Sequence, residues 1–187
     1  MFGHTHPSVQ GLAFVDMKKQ KIELSESTEL DHWHLAHTES ERFLAEFEHT
    51  LICLAQAFDR HNLMGLVASI GDSSFNGQDN IILHIIGTLD RPKSLSDISR
   101  FMNRDDLANI QYSVRKLLKT GLIEKANDKS ARGTNYQVSA EGRLVVDAFV
   151  RLRQELIVEP MKEMEQFKEN VKIATKIMGL FVGMYDQ

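Results

Sequence analysis

Within eight positions, Asn109, Gln111, Tyr112, Arg115 and Lys116 gather two amides, a phenol and two cations. Side-chain amides can bond both edge atoms of adenine, and a guanidinium grips guanine through paired donors. A phenol ring can rest against a thymine methyl or offer its hydroxyl to a phosphate. Interleaved among them, Ile110, Val114 and Leu117 recur at spacings of four and three, so an apolar helical face turns inward and the polar set lies outward or on the flanks. Ser96, Arg104 and Lys116 are placed to hold phosphates and fix register. Lys129, Arg132 and Asn135 belong to a later polar run expected to project towards an adjacent minor groove. This is chemistry for reading a nucleic-acid duplex. Asp105 and Asp106 would repel phosphate and are expected to cap the helix that follows them.

The elements that must carry these groups can be read from pattern. Ser94 caps a helix bearing Leu95, Ile98 and Met102 on one face, and Asn103-Arg104-Asp105-Asp106 breaks it. The next helix carries Leu107, Ile110, Val114, Leu117 and Leu118 and stops at Thr120-Gly121. A short strand over 122–125, a polar loop over 127–135 and an alternating strand over 136–138 complete a hairpin. Two helices and a hairpin on one small core predict a mainly α fold with a small β-wing, a winged helix-turn-helix whose second helix suits the major groove.

Flanking this unit, a long helix from Glu39 shows Phe43, Phe47, Leu51, Leu54 and Phe58 as a stripe expected to be buried. A loop over 72–77 leads to a helix with Ile81, Ile82, Ile85, Ile86 and Leu89, ended by Arg91-Pro92. After Gly142, Leu144, Val145, Ala148, Phe149, Leu152 and Leu156 mark a long helix that Pro160 breaks or kinks. A last helix carries Met161, Met164, Phe167, Val171, Ala174, Met178 and Phe181. Residues 1–38 form an arm without clear assignment, with 14–16 and 22–24 as candidate short strands. The expected organisation is thus this arm, an N-terminal dimerisation helix and loop over 39–78, a winged helix-turn-helix DNA-binding domain over 79–142, and C-terminal dimerisation helices over 143–187.

The ordered run Val114-Arg115-Lys116-Leu117-Leu118-Lys119-Thr120-Gly121-Leu122-Ile123, a wing, and then Val138-Ser139-Ala140-Glu141-Gly142 resembles the MarR family of bacterial transcription regulators. Where the family wing often reads D-x-R-D-x-R, this chain has Asn127-Asp128-Lys129-Ser130-Ala131-Arg132, with both acidic positions replaced and one arginine changed to lysine. The resemblance covers about half the chain and implies a homodimeric repressor of a palindromic operator in double-stranded DNA. In the family, terminal helices interlock to form the dimer. That implies dimerisation through Phe43, Phe47, Leu51, Leu152, Leu156, Phe167, Val171, Met178 and Phe181, with an intramolecular helical cap as the alternative. It also implies a small-molecule effector bound between the dimer helices and the winged helix, where Met64, Phe75 and Phe101 are candidate lining residues.

Composition bounds the alternatives. The formal charge is −4, yet residues 91–143 hold 11 Lys/Arg against 6 Asp/Glu, so a basic module sits on an acidic remainder. No run is apolar and long enough to span a membrane, no secretory signal is visible, and one cysteine fits a reducing cytoplasm. No phosphate loop, nucleophile elbow or metalloprotease motif is present, so neither an enzyme nor a cofactor is expected. Asp31, His32, His34 and His37, with His4, His6 and His49, raise a metal site, but their spacing matches no zinc signature and no metal ligand is assigned. Cys53, between Ile52 and Leu54, reads as a buried structural thiol rather than a redox sensor. The alternative functions are a winged-helix protein-interaction module without DNA binding, or a metal- or redox-responsive form of the regulator.

Overall fold

The computed structural model describes residues 34–71, 74–127 and 133–187. Helix α1 spans Glu39–Ile70, α2 Gly77–Gly87, α3 Leu95–Met102 and α4 Leu107–Lys119. Strands β1 (Ile123–Lys125) and β2 (Tyr136–Val138) follow, then α5 (Ala140–Arg153), α6 (Glu159–Lys162) and α7 (Phe167–Tyr185). Two compact units divide between Leu51 and Ile52, inside α1. Among the described residues no helix is long and apolar enough to cross a membrane.

In the second unit, Leu66, Phe75, Ile82, Leu83, Ile86, Ile98, Ile110, Val114, Leu117, Leu122, Ile123, Tyr136, Val145 and Val146 form one buried cluster. The spacings anticipated for α3 and α4 are met, with Leu95, Met102 and Leu118 half-buried against it, except that Leu107, in the first turn of α4, is exposed. Helix α2 starts earlier than its isoleucines suggest, because Asn76 and Asp79 form a reciprocal capping box. Leu89 lies beyond it, exposed in a short turn at a left-handed φ of 62°.

Three backbone devices lock the wing to the helices. The end of α4 is a Schellman turn: Gly121, at φ 75°, donates its N–H to the Leu118 carbonyl and Leu122 to that of Leu117. β1 and β2 pair antiparallel with Ile123 opposite Val138, and Lys93 bridges to the far side of Tyr136. Ser139 caps α5 by accepting from the Gly142 N–H and donates its hydroxyl to the Gly121 carbonyl at 2.5 Å. A Cβ on Gly142 would lie 1.9 Å from the Leu122 carbonyl oxygen, which is why glycine stands there.

Several expectations need correction. Phe43, Leu51, Leu54 and Phe58 are exposed in the single chain rather than buried. Leu144 is 71% exposed, while Val146 takes the inward place on α5. Cys53 is exposed too, so the buried-thiol reading fails. Pro160 sits in the first turn of α6, after a π-helical turn over Gln154–Val158, and α7 begins only at Phe167 after Gln166 turns left-handed. Met161 and Met164 therefore precede the last helix.

Candidate nucleic-acid interface

Helix α4 buries Ile110, Ser113, Val114 and Leu117 and turns Asn109, Gln111, Tyr112 and Arg115 to solvent. Arg115 lies back along its own helix, donating from Nη2 to the Gln111 side-chain oxygen at 3.0 Å and from Nε to the Gln111 carbonyl at 3.3 Å. This i,i+4 pair pre-orders a guanidinium beside an amide on the outer face. Tyr112 is 66% exposed.

The helix start is built differently from the expected cap. Asp106 occupies the N-cap position but makes no capping bond through its side chain. Instead its carboxylate accepts from Arg104, with Nε at 2.9 Å and Nη2 completing a two-pronged pair, and from the Asn109 amide at 2.9 Å. Those bonds, the one from Arg104 foremost, hold the Asp106 carboxyl below its ordinary range. Arg104 also donates from Nη1 to the Gln78 side chain at 2.5 Å, and Gln78 donates to the Ser113 hydroxyl at 3.3 Å. Gln78 thereby pins α4 to α2, and nothing in its sequence position marked it.

Lys116 departs from its expected place on the phosphate backbone. Its ammonium turns inward to the fully buried Asp79 carboxylate at 2.7 Å, donates to the Ser74 carbonyl and lies 4.8 Å from the Phe75 ring centre. The Asn76-x-x-Asp79 capping box was a signal for Asp79 that the sequence reading did not use. Ser96 is exposed near the start of α3, and Asn135 is half-buried beside β2. Lys129 and Arg132 lie outside the described residues, as do His4, His6, Asp31 and His32. No group of three potential metal ligands occurs among the described residues. Phe75 is core, whereas Met64 and Phe101 are exposed.

Lys93 is fully buried and was not singled out. Its ammonium donates to the carbonyls of Thr88 and of Arg91, the latter at 2.7 Å, closing the turn after α2. Burial, and then the nearby Arg91 charge, push its pKa down.

Residues 75–142 match a family model described as a winged helix DNA-binding domain. The architecture around that segment matches solved regulators over nearly their whole length. FabT of Streptococcus pneumoniae in complex with DNA aligns with TM-score 0.55 and 16% identity over 75% of this chain and 98% of that one. A MarR/EmrR family transcriptional regulator from Acinetobacter gives TM-score 0.60 and 16% identity over 74% and 96%. The chain has the winged-helix fold of the MarR family. The DNA complex of Staphylococcus aureus MepR, with TM-score 0.57 and 14% identity over 73% and 97%, shares this MarR fold. No curated protein matches the chain in sequence. Within the MarR fold, α3 and α4 are the helix-turn-helix and β1–β2 the wing.

Proposed function

We propose that the chain is a cytoplasmic, homodimeric, sequence-specific regulator of transcription that binds double-stranded DNA, represses from a palindromic operator and responds to a small-molecule effector. The observation that carries this reading is the outer face of α4. Asn109, Gln111, Tyr112 and Arg115 stand on it together, while a Schellman turn, a buried apolar face and the Gln78 bridge fix its orientation. A rigid helix with amides and a guanidinium in line is what base edges in the major groove require. Ser96 would hold the backbone, and Lys129, Arg132 and Asn135 would serve the wing. The DNA-bound state of FabT and MepR supports the same use of this fold.

Dimerisation is supported by the apolar side chains left in solvent. On α7, Val171 and Met178 are exposed and Phe167 and Phe181 half-buried; Leu152 and Leu156 continue the series on the preceding segment. On α1, Phe43 and Leu51 are exposed and Phe47 half-buried. A second copy covering these surfaces would give two reading helices related by a two-fold axis, matched to half-sites about 34 Å apart.

Selection of bound fragments from a random duplex pool tests the reading. Enrichment of an inverted repeat with half-sites one helical turn apart is expected. Recovery of no enriched sequence would overturn it and favour an interaction module.

A further inference from the structure

We infer that Asp106 sets the threshold between specific and indiscriminate DNA binding, by closing Arg104 into an ion pair within the chain, braced by the Asn109 amide, at the entrance to the recognition helix. This rests on the DNA-reading assignment of α4 and adds a specificity-determining residue to it. A helix start flanked by arginine ordinarily draws phosphate, since unpaired N–H groups, dipole and guanidinium all favour an anion. Here the chain itself supplies the anion to the guanidinium, although not to the helix's own N–H groups. The Asp106 carboxylate takes two Arg104 donors and the Asn109 amide at 2.9 Å, and Gln78 takes a third Arg104 donor at 2.5 Å. Because Gln78 also donates to Ser113, the guanidinium is clamped between α2 and α4 rather than free to swing. A neutralised arginine releases no counterion when the protein meets an arbitrary duplex, and the adjacent carboxylate repels its phosphates. At this end of the helix discrimination is then left to Gln111, Tyr112 and Arg115, whose proposed partners are bases.

The test is a salt titration of binding to a selected duplex and to one of arbitrary sequence. Asp106→Asn is expected to tighten binding to the arbitrary duplex several-fold at low salt and to steepen the log–log salt slope by about one. The gain on the selected duplex is smaller, so the specificity ratio falls. Asp106→Ser, which keeps a good N-cap residue without charge, gives the same change. Adding Arg104→Ala to Asp106→Asn returns the slope to that of the parent. Asp105→Asn alters net charge equally one residue away and should leave the slope as it was. An unchanged slope in both Asp106 variants, or equal steepening by Asp105→Asn, overturns this inference alone. A parent that enriches no duplex overturns the reading of α4 and this inference with it.

Discussion

Helices α4 and α7 are both amphipathic in sequence, and the single chain treats them in opposite ways. α4 buries Ile110, Val114 and Leu117 completely, leaves Leu107 exposed in its first turn, and shows solvent a largely polar face. α7 buries nothing: Ile173 is 56% exposed, Leu180 68%, and Val171, Ile177, Met178 and Val182 are exposed as well. It reaches back to the winged helix at its C-terminal end, where the Asn103 amide donates to the Asp186 carboxylate at 2.7 Å. The contrast separates two kinds of surface. A polar face is stable in water and waits for a ligand, whereas an apolar stripe of this size costs free energy until something covers it. Covering one large aliphatic side chain is worth roughly 1.5–3 kcal/mol, so a few such residues offset the rigid-body and ordering costs of pairing two chains. The winged helix should therefore fold within one chain, and α7 should depend on a second.

The sharpest way to break the first half of that contrast is Gly142→Ala. The new Cβ would sit 1.9 Å from the Leu122 carbonyl and 2.9 Å from Val138, so α5 must move off the wing. A loss of about 3 kcal/mol is expected, towards the upper end for overpacking because a backbone atom cannot step aside. Urea unfolding would show it as a lower midpoint with unchanged slope; a stability equal to the parent would mean the junction is not rigid.

The second half is broken by Ile177→Asp on α7. If a second copy covers α7 as proposed, a carboxylate in the middle of that face would cost about 2 kcal/mol or more in association. Sedimentation at fixed concentration should show the dimer replaced by monomer, and binding to a two-half-site duplex should fall at least about tenfold while the fold of the winged helix survives. If the variant sediments like the parent, α7 does not carry the pairing.

How much of this could be read from the chain follows the same division. The buried spacings of α3 and α4, the Thr120-Gly121 stop and the hairpin are local rules, and the structure follows them except at Leu107, which α4 leaves exposed. The Ser139-x-x-Gly142 segment was visible as a family pattern, but its cause, a carbonyl pressing on a missing side chain, needed coordinates. The α1 stripe was recognised correctly as apolar and expected to be buried, because periodicity says that a face must be covered without saying by which chain. Lys116 and Asp106 show the other limit. Spacing alone points Lys116 to the phosphate backbone and Asp106 to a cap, but Asp79, 37 residues upstream, draws the lysine inward, and Arg104 draws the aspartate away from capping. The Lys116–Asp79 pair is set by tertiary geometry and the Arg104–Asp106 pair by the turn before α4, and no helical wheel contains either.

Within the polar face, Arg115→Ala separates base reading from electrostatic attraction. Losing a two-pronged contact to a base typically costs about 1–3 kcal/mol of discrimination, and the i,i+4 pair with Gln111 contributes only a few tenths to stability. Competition assays across single base-pair changes should show relaxed preference at particular positions of the site, with melting temperature nearly unchanged. A uniform loss across all sequences would place Arg115 on phosphates and shift base reading to Asn109, Gln111 and Tyr112.

The smallest expected effect lies where α1, α2 and α5 of the second unit meet. His61 and His84 stand with ring centres 5.4 Å and 4.6 Å from that of Phe149, and neither Nε2 has a hydrogen-bond partner among the described residues. Burial lowers the pKa of both below the ordinary 6.5, and the Arg153 charge lowers that of His61 further. A base whose folded pKa is depressed binds fewer protons folded than unfolded, so its contribution to stability is complete above 6.5 and is lost progressively as pH falls below it. Melting temperature should therefore decline on acidification through that value, before the paired carboxylates Asp97 and Asp106, whose folded pKa values are lowered, begin to take up protons in more acid solution. His84→Gln keeps a polar side chain that cannot charge, and should flatten the decline while leaving the outer face of α4 as it is. An acid profile identical in the variant and the parent would assign the pH dependence to the carboxylates and leave the His84 ring as packing against Phe149.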